Sequence, residues 1–244
     1  MVRELYLDDI AGRWLGVVME KAPKIPIAQE AGEWLEVAGM NGELWRADGG
    51  LKAVELEAQL YVRETANLSE VMAWLRNATR LRWDGTDFYY RVSGVELEGE
   101  LEEWEDFVDL GWEVTVKWKA EPFRYVWPAS ELPGITDGVT LHNGCNVYAS
   151  PVIDIHCGSS GGILAFGRYT VTLDDTFGLY RLDCGAKLAY GWDETAQAWV
   201  GAGTSVTLES TGIGRWPRIN VGDTAIGFTS GVTSIDIVPN WRNV

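Results

Sequence analysis

The stretch Val54-Glu55-Leu56-Glu57-Ala58-Gln59-Leu60-Tyr61-Val62 alternates apolar and polar side chains over its length. A period of two predicts a strand with one buried and one exposed face. On either side of it, Asn41-Gly42 and Asp84-Gly85 are dipeptides typical of tight hairpin turns. The first half of the chain is therefore predicted to consist mostly of antiparallel strands.

One helix is predicted to interrupt these strands. Asn67 is a residue type that caps helices, and Glu70 follows it three positions later. The apolar residues of the segment recur at i, i+3, i+4 and i+7, which is the spacing of one helix face; they are Leu68, Val71, Met72 and Leu75. We expect this helix to end at Asn77.

Proline usage divides the chain near residue 130. No proline occurs between Pro26 and Pro122, whereas Pro122, Pro128 and Pro133 follow one another closely. Residues 127–134 have the composition of turns and linkers. We therefore expect two domains, 1–130 and 131–244.

The second half shows short strand-like runs separated by glycine and aspartate turns. The runs are 152–156, 163–166, 169–173, 179–182, 205–208 and 234–238. Regular short strands without helical periodicity predict an all-β sandwich. The fold class expected for the whole chain is mainly β, in two domains.

Charge and hydropathy exclude several functions. The chain of 244 residues has 20 basic and 36 acidic residues, a formal net charge of −16. Proteins that bind nucleic acid tightly neutralise phosphates with lysine and arginine, so we expect no sequence-specific nucleic-acid binding. No apolar run approaches the roughly 18 residues of a membrane span, and the chain opens into a strand rather than a secretory signal. We expect no membrane insertion and synthesis in a cytoplasm.

One predicted strand carries glutamate on every second residue, at Glu96, Glu98, Glu100 and Glu102. Nine acidic and no basic residues lie between Arg91 and Lys117. Two interpretations stay open. The strand is part of a solvated hairpin, or it forms a surface that repels a polyanion.

No metal or cofactor site is predicted. Cys145, Cys157 and Cys184 contain no C-x-x-C pair, and we expect them to be reduced thiols. His142 and His156 lie near two of them, but no ligand pair has the spacing of a structural zinc site. The glycine-rich run 158–162 is not followed by Gly-Lys-Ser/Thr, so it is not predicted to bind phosphate.

No catalytic residue is predicted either. Asp174, Asp175 and Asp183 are the best paired carboxylates, but neighbouring residues of a strand or turn point apart, whereas a glycosidase needs carboxylates opposed across a sugar. Among the 13 tryptophans, Trp74 is expected in a core. Trp199 and Trp216 are interpreted as either core residues or platforms for a carbohydrate.

Several local patterns follow one another along nearly the whole chain. In the first half they are Gly39-Met40-Asn41-Gly42-Glu43-Leu44, the helix with Trp74-Leu75, Leu81-Arg82-Trp83-Asp84, Phe88-Tyr89-Tyr90-Arg91-Val92 and Glu121-Pro122-Phe123-Arg124-Tyr125. In the second half they are Asn143-Gly144, Tyr148-Ala149-Ser150-Pro151-Val152-Ile153, Leu182-Asp183-Cys184 and Trp216-Pro217-Arg218-Ile219-Asn220-Val221-Gly222. In this order, the chain resembles the distal tail protein (Dit) family of long-tailed, non-contractile bacteriophages, also called the phage tail component family.

The resemblance implies a structural protein of the virion, with no enzymatic activity and no cofactor. Such proteins form hexameric rings at the tail tip, between the tail-tube protein and the tail hub or baseplate proteins. The first domain, a β-barrel-like unit with one helix, would form the ring and its channel. The second would be a sandwich like the jelly rolls of lectins and carbohydrate-binding modules, outside the ring.

If the first domain surrounds the path of DNA, the resemblance also suggests an orientation for the glutamate strand. Glu96, Glu98, Glu100 and Glu102 would then face the channel or its rim, where carboxylates repel phosphates. Two other functions stay open at this point. One is a carbohydrate-binding module, and the other is a glycoside hydrolase that uses Asp174 or Asp183.

Overall fold

The computed structural model describes residues 3–38, 41–63, 65–103, 111–158, 161–212, 214–229 and 231–244. For residues 98–103 it describes the backbone alone. The chain divides into two compact units, Met1–Trp127 with Val244 and Pro128–Asn243. The division lies at the start of the proline-containing segment 127–134.

The first unit is built on a curled antiparallel sheet. In chain order, the strands of this unit are β1 (Leu5–Leu7), β2 (Ile10–Ala11), β3 (Val17–Lys21), β4 (Glu30–Glu36), β5 (Glu43–Leu51), β6 (Val54–Arg63), β7 (Arg80–Trp83), β8 (Phe88–Glu103), β9 (Gly111–Ala120) and β10 (Arg124–Val126). The sheet runs β2-β1-β7-β8-β9-β6-β3, and β10 pairs with β8. The sheet curls into a half-barrel, and an isolated bridge connects Arg3, just before β1, to Met19 in β3.

Strand β6 confirms the alternation that the sequence predicts. Its apolar residues are buried and lie in the core of the unit; they are Val54, Leu56, Ala58, Leu60 and Val62. The intervening Glu55, Glu57 and Gln59 are exposed. One face of this strand therefore supplies the core, and the other faces solvent.

The predicted helix is also confirmed, as α1 (Leu68–Arg76). The Asn67 side chain accepts a hydrogen bond from the Ser69 backbone amide at 3.2 Å, which satisfies one of the free amides of the first turn. Val71 and Leu75 are fully buried, and Leu68 and Met72 pack at the edge of the same core. No other α-helix occurs within the described ranges.

Both predicted turns are present. Asn41-Gly42 precedes β5 in the β4–β5 hairpin, with Gly42 at φ +99°. Asp84-Gly85 connects β7 to β8, with Gly85 at φ +82°. Both glycines occupy the left-handed region that other residues adopt at a cost.

The second unit is a two-sheet sandwich. Its strands are β11 (Leu132–Ile135), β12 (Thr140–Asn143), β13 (Val152–Cys157), β14 (Gly162–Phe166), β15 (Tyr169–Leu173), β16 (Leu179–Asp183), β17 (Leu188–Asp193), β18 (Ala198–Gly201), β19 (Val206–Ser210), β20 (Gly222–Phe228), β21 (Val232–Val238) and β22 (Arg242–Asn243). One sheet runs β11-β21-β13-β16-β17-β18, and the other runs β12-β20-β14-β15-β19. Side chains from both sheets, among them Ile153, Ile155, Leu164 and Val171, form one fully buried core. The expected fold class, mainly β with a helix-containing first part and a sandwich, is confirmed.

Candidate functional surfaces

The carboxylates considered for catalysis cap turns. Asp174 accepts hydrogen bonds from the Tyr180 hydroxyl at 2.7 Å and from the Thr176 backbone amide at 2.9 Å. These bonds, that of Tyr180 first, lower the pKa of Asp174 to about 2. Asp183 accepts from the backbone amides of the two residues that follow Cys184, at 3.0 and 2.8 Å. Both carboxylates therefore stabilise local backbone. The pKa of Asp174 is lowered, whereas a general acid needs a raised one.

The three cysteines are free thiols. Burial raises the pKa of Cys157 to about 11 and raises the pKa of Cys184 further, so both are inert at neutral pH. His142 and His156 each pair with an aspartate, Asp223 at 2.7 Å and Asp236 at 2.8 Å. The described residues contain no group of three or more His, Cys, Asp or Glu side chains suited to hold a metal ion.

The described helices include none with the length and apolar character needed to cross a bilayer.

The glutamate strand is part of the long strand β8, which pairs with β9. Glu96 is exposed and lies opposite Lys117. Further along, Glu98 lies opposite Thr115 and Glu102 opposite Glu113, with a register shift between these two pairs. The side chains of Glu98, Glu100 and Glu102 lie outside the described residues. A lysine of β9 therefore lies opposite the acidic strand at Glu96, whereas a glutamate of β9 lies opposite it at Glu102.

A further carboxylate lies at this end of the sheet. Burial raises the pKa of Glu20 at the end of β3, and the charge and hydrogen bond of Glu113 raise it further. A carboxyl pair of this kind holds its proton to a higher pH than an isolated glutamate. Glu20 is distant from Glu113 in the sequence, but β3 and β9 pair with opposite sides of β6, which brings the two together.

The outer face of the six-stranded sheet carries an ion pair beside two tryptophans. Arg181 donates to both oxygens of Asp154, at 2.7 and 2.6 Å, and lines a groove of about 300 Å³ with Asp154 and Asp236. The Arg181 guanidinium lies 4.4 Å from the centre of the Trp199 ring, and Trp192 packs edge-on against Trp199 at 5.4 Å. One face of Trp199 is therefore covered by arginine and is not an open platform for a sugar.

The other two tryptophans named from the sequence are half-buried and pack against the two cores. Trp74 packs against the core of the first unit, and Trp216 packs against that of the second. Trp216 is half-buried, and this packing favours the core interpretation. For Trp74, the expectation is confirmed.

The β4–β5 hairpin carries a surface that the sequence analysis did not identify. β4 and β5 form a two-stranded sheet, in which Trp34 lies opposite Trp45 and Glu36 lies opposite Glu43. The two indole rings are 5.1 Å apart, and Trp34 keeps 62% of its surface exposed. Opposed residues of an antiparallel pair project to the same side, so an aromatic pair and an acidic pair share one face. We call this the Trp34 face.

Helix α1 has a shallow groove along one flank, at the edge of the core. The groove has a volume of about 460 Å³, and it is lined by Leu68, Ser69, Met72, Ala73, Arg76 and Asn77. Leu68 and Met72 contribute apolar surface, and Arg76 at the end of the helix is exposed and basic. Their spacing of four residues places them along one line of the helix surface. We call this line the α1 groove.

No family model matches the sequence, and no curated protein does. Solved structures match over nearly its whole length. The Dit protein of phage SPP1, described as a paradigm of the hub adsorption apparatus in phages that infect Gram-positive bacteria, is 13% identical with a TM-score of 0.61. The match covers 97% of this chain and 98% of that one.

Two baseplate structures of phage p2 in the activated conformation also match. The chain from the strontium-bound baseplate is 8% identical with a TM-score of 0.52, and the match covers 97% of both chains. The chain from the calcium-bound baseplate is 9% identical with a TM-score of 0.51, covering 100% of this chain and 99% of that one.

This chain has the fold of a phage Dit protein. The resemblance that the ordered sequence motifs indicated is thereby confirmed at the level of the fold, in both units. The Dit fold accounts for the arrangement described above, a half-barrel with one helix followed by a sandwich. At identities of 8–13%, few of the individual side chains are shared with these structures.

Proposed function

We propose that this protein is a structural component of a phage tail tip, where copies of it form a closed ring. The observation that carries the proposal is the match of the whole chain, through both units, to the Dit protein of phage SPP1. In the proposed assembly six copies surround a channel. The ring joins the tail-tube protein on one side to the tail hub or baseplate proteins on the other.

In this proposal the two units have different roles. The first, with the half-barrel, the hairpin and α1, forms the ring, and the second lies outside it. The roles correspond to domains 1–130 and 131–244. A ring needs two different complementary surfaces on each subunit, because each copy contacts one neighbour on either side. The first unit offers candidates for both, since it carries the exposed Trp34 face and the α1 groove.

DNA leaving a capsid would pass through such a ring. A channel wall that binds phosphates would retain the duplex, whereas carboxylates repel it. We propose that Glu96, Glu98, Glu100 and Glu102 face the channel or its rim. The register of Glu102 opposite Glu113, together with the raised pKa of Glu20 beside Glu113, supports an acidic surface at this end of the β8–β9 pair.

The enzymatic alternative has no support in the geometry of its carboxylates. Asp174 and Asp183 each accept hydrogen bonds from nearby backbone amides, and these bonds define turns. The carbohydrate-binding alternative is weakened by Arg181, which covers one face of Trp199.

Electron microscopy of particles tests the proposal. Antibodies raised against this protein are applied to virions produced from the genome that encodes it, and the bound label is located along each particle. We expect label at the distal end of the tail and nowhere else. Label on the capsid, or particles that contain none of the protein, would overturn the proposal.

A further inference from the structure

Exposed apolar surface is concentrated in one part of the first unit. Of the eleven large hydrophobic residues exposed in the described chain, five lie between positions 25 and 44. They are Ile25 and Ile27 before the hairpin, Trp34 on one face of it, Leu44 on the other face and Val37 just after β4. Within the described residues, the β4–β5 hairpin pairs with no other strand. A two-stranded hairpin is only marginally stable in water, so this concentration indicates a contact surface.

The Trp34 face has two parts with different chemistry. Trp45 packs over Gly32, where a Cβ atom would lie 2.6 Å from its ring, and this arrangement leaves Trp34 as the outer ring of the pair. Two residues nearer the turn, Glu36 and Glu43 are both exposed and directly opposed. Like charges in such a position repel each other, so a cation placed between them would stabilise the hairpin.

The α1 groove is complementary to the Trp34 face, with an apolar part followed by a basic end. Leu68 and Met72 form its apolar part, and Arg76 forms its basic end. A bidentate donor such as arginine can bind two carboxylates that lie side by side.

The two surfaces also match in spacing. Successive residues on one side of a strand are about 6.7 Å apart, and this is the distance between the tryptophan pair and the glutamate pair. Positions four apart on a helix are about 6 Å apart along its axis, and this is the distance between Met72 and Arg76. An apolar contact and an ionic contact can therefore form together when the hairpin lies along the helix.

We propose that the Trp34 face of one copy of this protein packs into the α1 groove of the next copy. Trp34 and Trp45 contact Leu68 and Met72, while Glu36 and Glu43 bind Arg76. The inference rests on the proposed ring, and it names the two surfaces that close it. The occupant is a second copy because both complementary surfaces lie on the same unit, and a heterologous contact of this kind repeats around a closed ring.

Two single substitutions test the contact. Trp34→Ala removes the outer ring of the Trp34 face, and Ala73→Glu places a carboxylate in the α1 groove. We expect each variant to be monomeric by sedimentation under conditions where the wild type forms its ring. Each variant keeps one functional surface, so an equimolar mixture is expected to form a dimer of one copy of each. The matched controls are Trp14→Ala, an exposed tryptophan outside the hairpin, and Glu70→Gln, an exposed residue of α1 outside the groove.

A charge exchange distinguishes loss of the contact from misfolding of the variant. Arg76→Glu is expected to weaken assembly at least about tenfold, because like charges would then meet across the contact. Adding Glu43→Lys to the same chain is expected to restore assembly to near the wild-type level. A double variant no better than Arg76→Glu alone would overturn the ionic part of the inference.

The outcomes separate this inference from the proposed function. If Trp34→Ala and Ala73→Glu both form the wild-type ring, or if their mixture stays monomeric, the proposed contact is refuted but the proposed ring is not. If the wild type is monomeric from micromolar to millimolar concentration, the ring itself is refuted, and the contact with it.

Discussion

The hydroxyl of Tyr180 lies 2.7 Å from Oδ1 of Asp174 and donates a hydrogen bond to it. The tyrosine is fully buried in the core of the sandwich, whereas Asp174 is exposed on the turn after β15. One bond therefore ties a surface turn to the core. It also explains why a carboxylate that the sequence marked as a catalytic candidate has a structural role.

This relationship predicts a pH-dependent contribution to stability. The pKa of Asp174 is lowered to about 2, so its charged form stabilises the folded state above the pKa of the unfolded chain, and that contribution is lost as the pH falls towards 2. We expect Asp174→Asn to lower the melting temperature at pH 7 and to lower it much less near pH 2, where about half of the carboxylate is protonated. Thermal unfolding across this range measures it, with Asp175→Asn as the control. An equal loss at both pH values would contradict this explanation.

Gly191 in β17 is predicted to be a site where any side chain destabilises the sandwich. A Cβ atom there would lie 2.3 Å from the Phe177 ring. Such a clash forces the core to shift, at a cost of about 1–3 kcal/mol. Urea unfolding of Gly191→Ala measures the cost. Gly201→Ala is the control, since Gly201 lies on the neighbouring strand with open space around it. Equal stabilities of the two variants would show that the ring of Phe177 moves freely.

The elements that the sequence predicted are those in which local pattern and burial agree. Strand β6 alternates because one of its faces forms the core, and α1 has a capped start and an apolar stripe that packs on the same core. The ordered motifs also indicated the Dit fold, because they lie along both units.

Other elements could not be predicted, for physical reasons that differ. β17 contains Gly191, which leaves room for Phe177, and β20 contains Gly222, Asp223 and Gly227, all of low strand propensity. Those strands are stabilised by their neighbours in the sheets rather than by their own residues.

The surface features depend on contacts between distant parts of the chain. Glu20 meets Glu113 only because β3 and β9 both pair with β6. The acidic pair of the hairpin exists only in the register that places Glu36 opposite Glu43. Neither relationship has a local sequence signal.

The sandwich is predicted to fold without the first unit. It has its own continuous core, to which both sheets contribute side chains. We expect a fragment of residues 128–244 to unfold in one cooperative transition in urea and to remain monomeric. A fragment that unfolds gradually, without a transition, would show that the second unit depends on the first.

The glutamate strand is predicted to affect passage of DNA. Changing Glu96, Glu98, Glu100 and Glu102 to lysine would place cations on the channel wall. We expect assembled particles to eject DNA slowly or incompletely. The defect should be relieved as salt is raised, because added salt shortens the Debye length, which is about 8 Å at physiological ionic strength, and so weakens the attraction between lysine and phosphate.

The control for that experiment makes the same change in charge on the second unit, at the exposed residues Glu131, Asp175, Glu194 and Glu209. Ejection by those particles is expected to match the wild type. Normal ejection by fully assembled particles that carry the four lysines in β8 would show that this strand does not face the channel.

The central claim is that this chain closes into a ring through its first unit. Native mass spectrometry of the purified protein at high concentration, compared with the fragment 128–244, tests it most directly. We predict an assembly of six copies of the 27.1 kDa chain, and a monomeric fragment. A stable dimer of the full chain, or a fragment that oligomerises by itself, would contradict the claim.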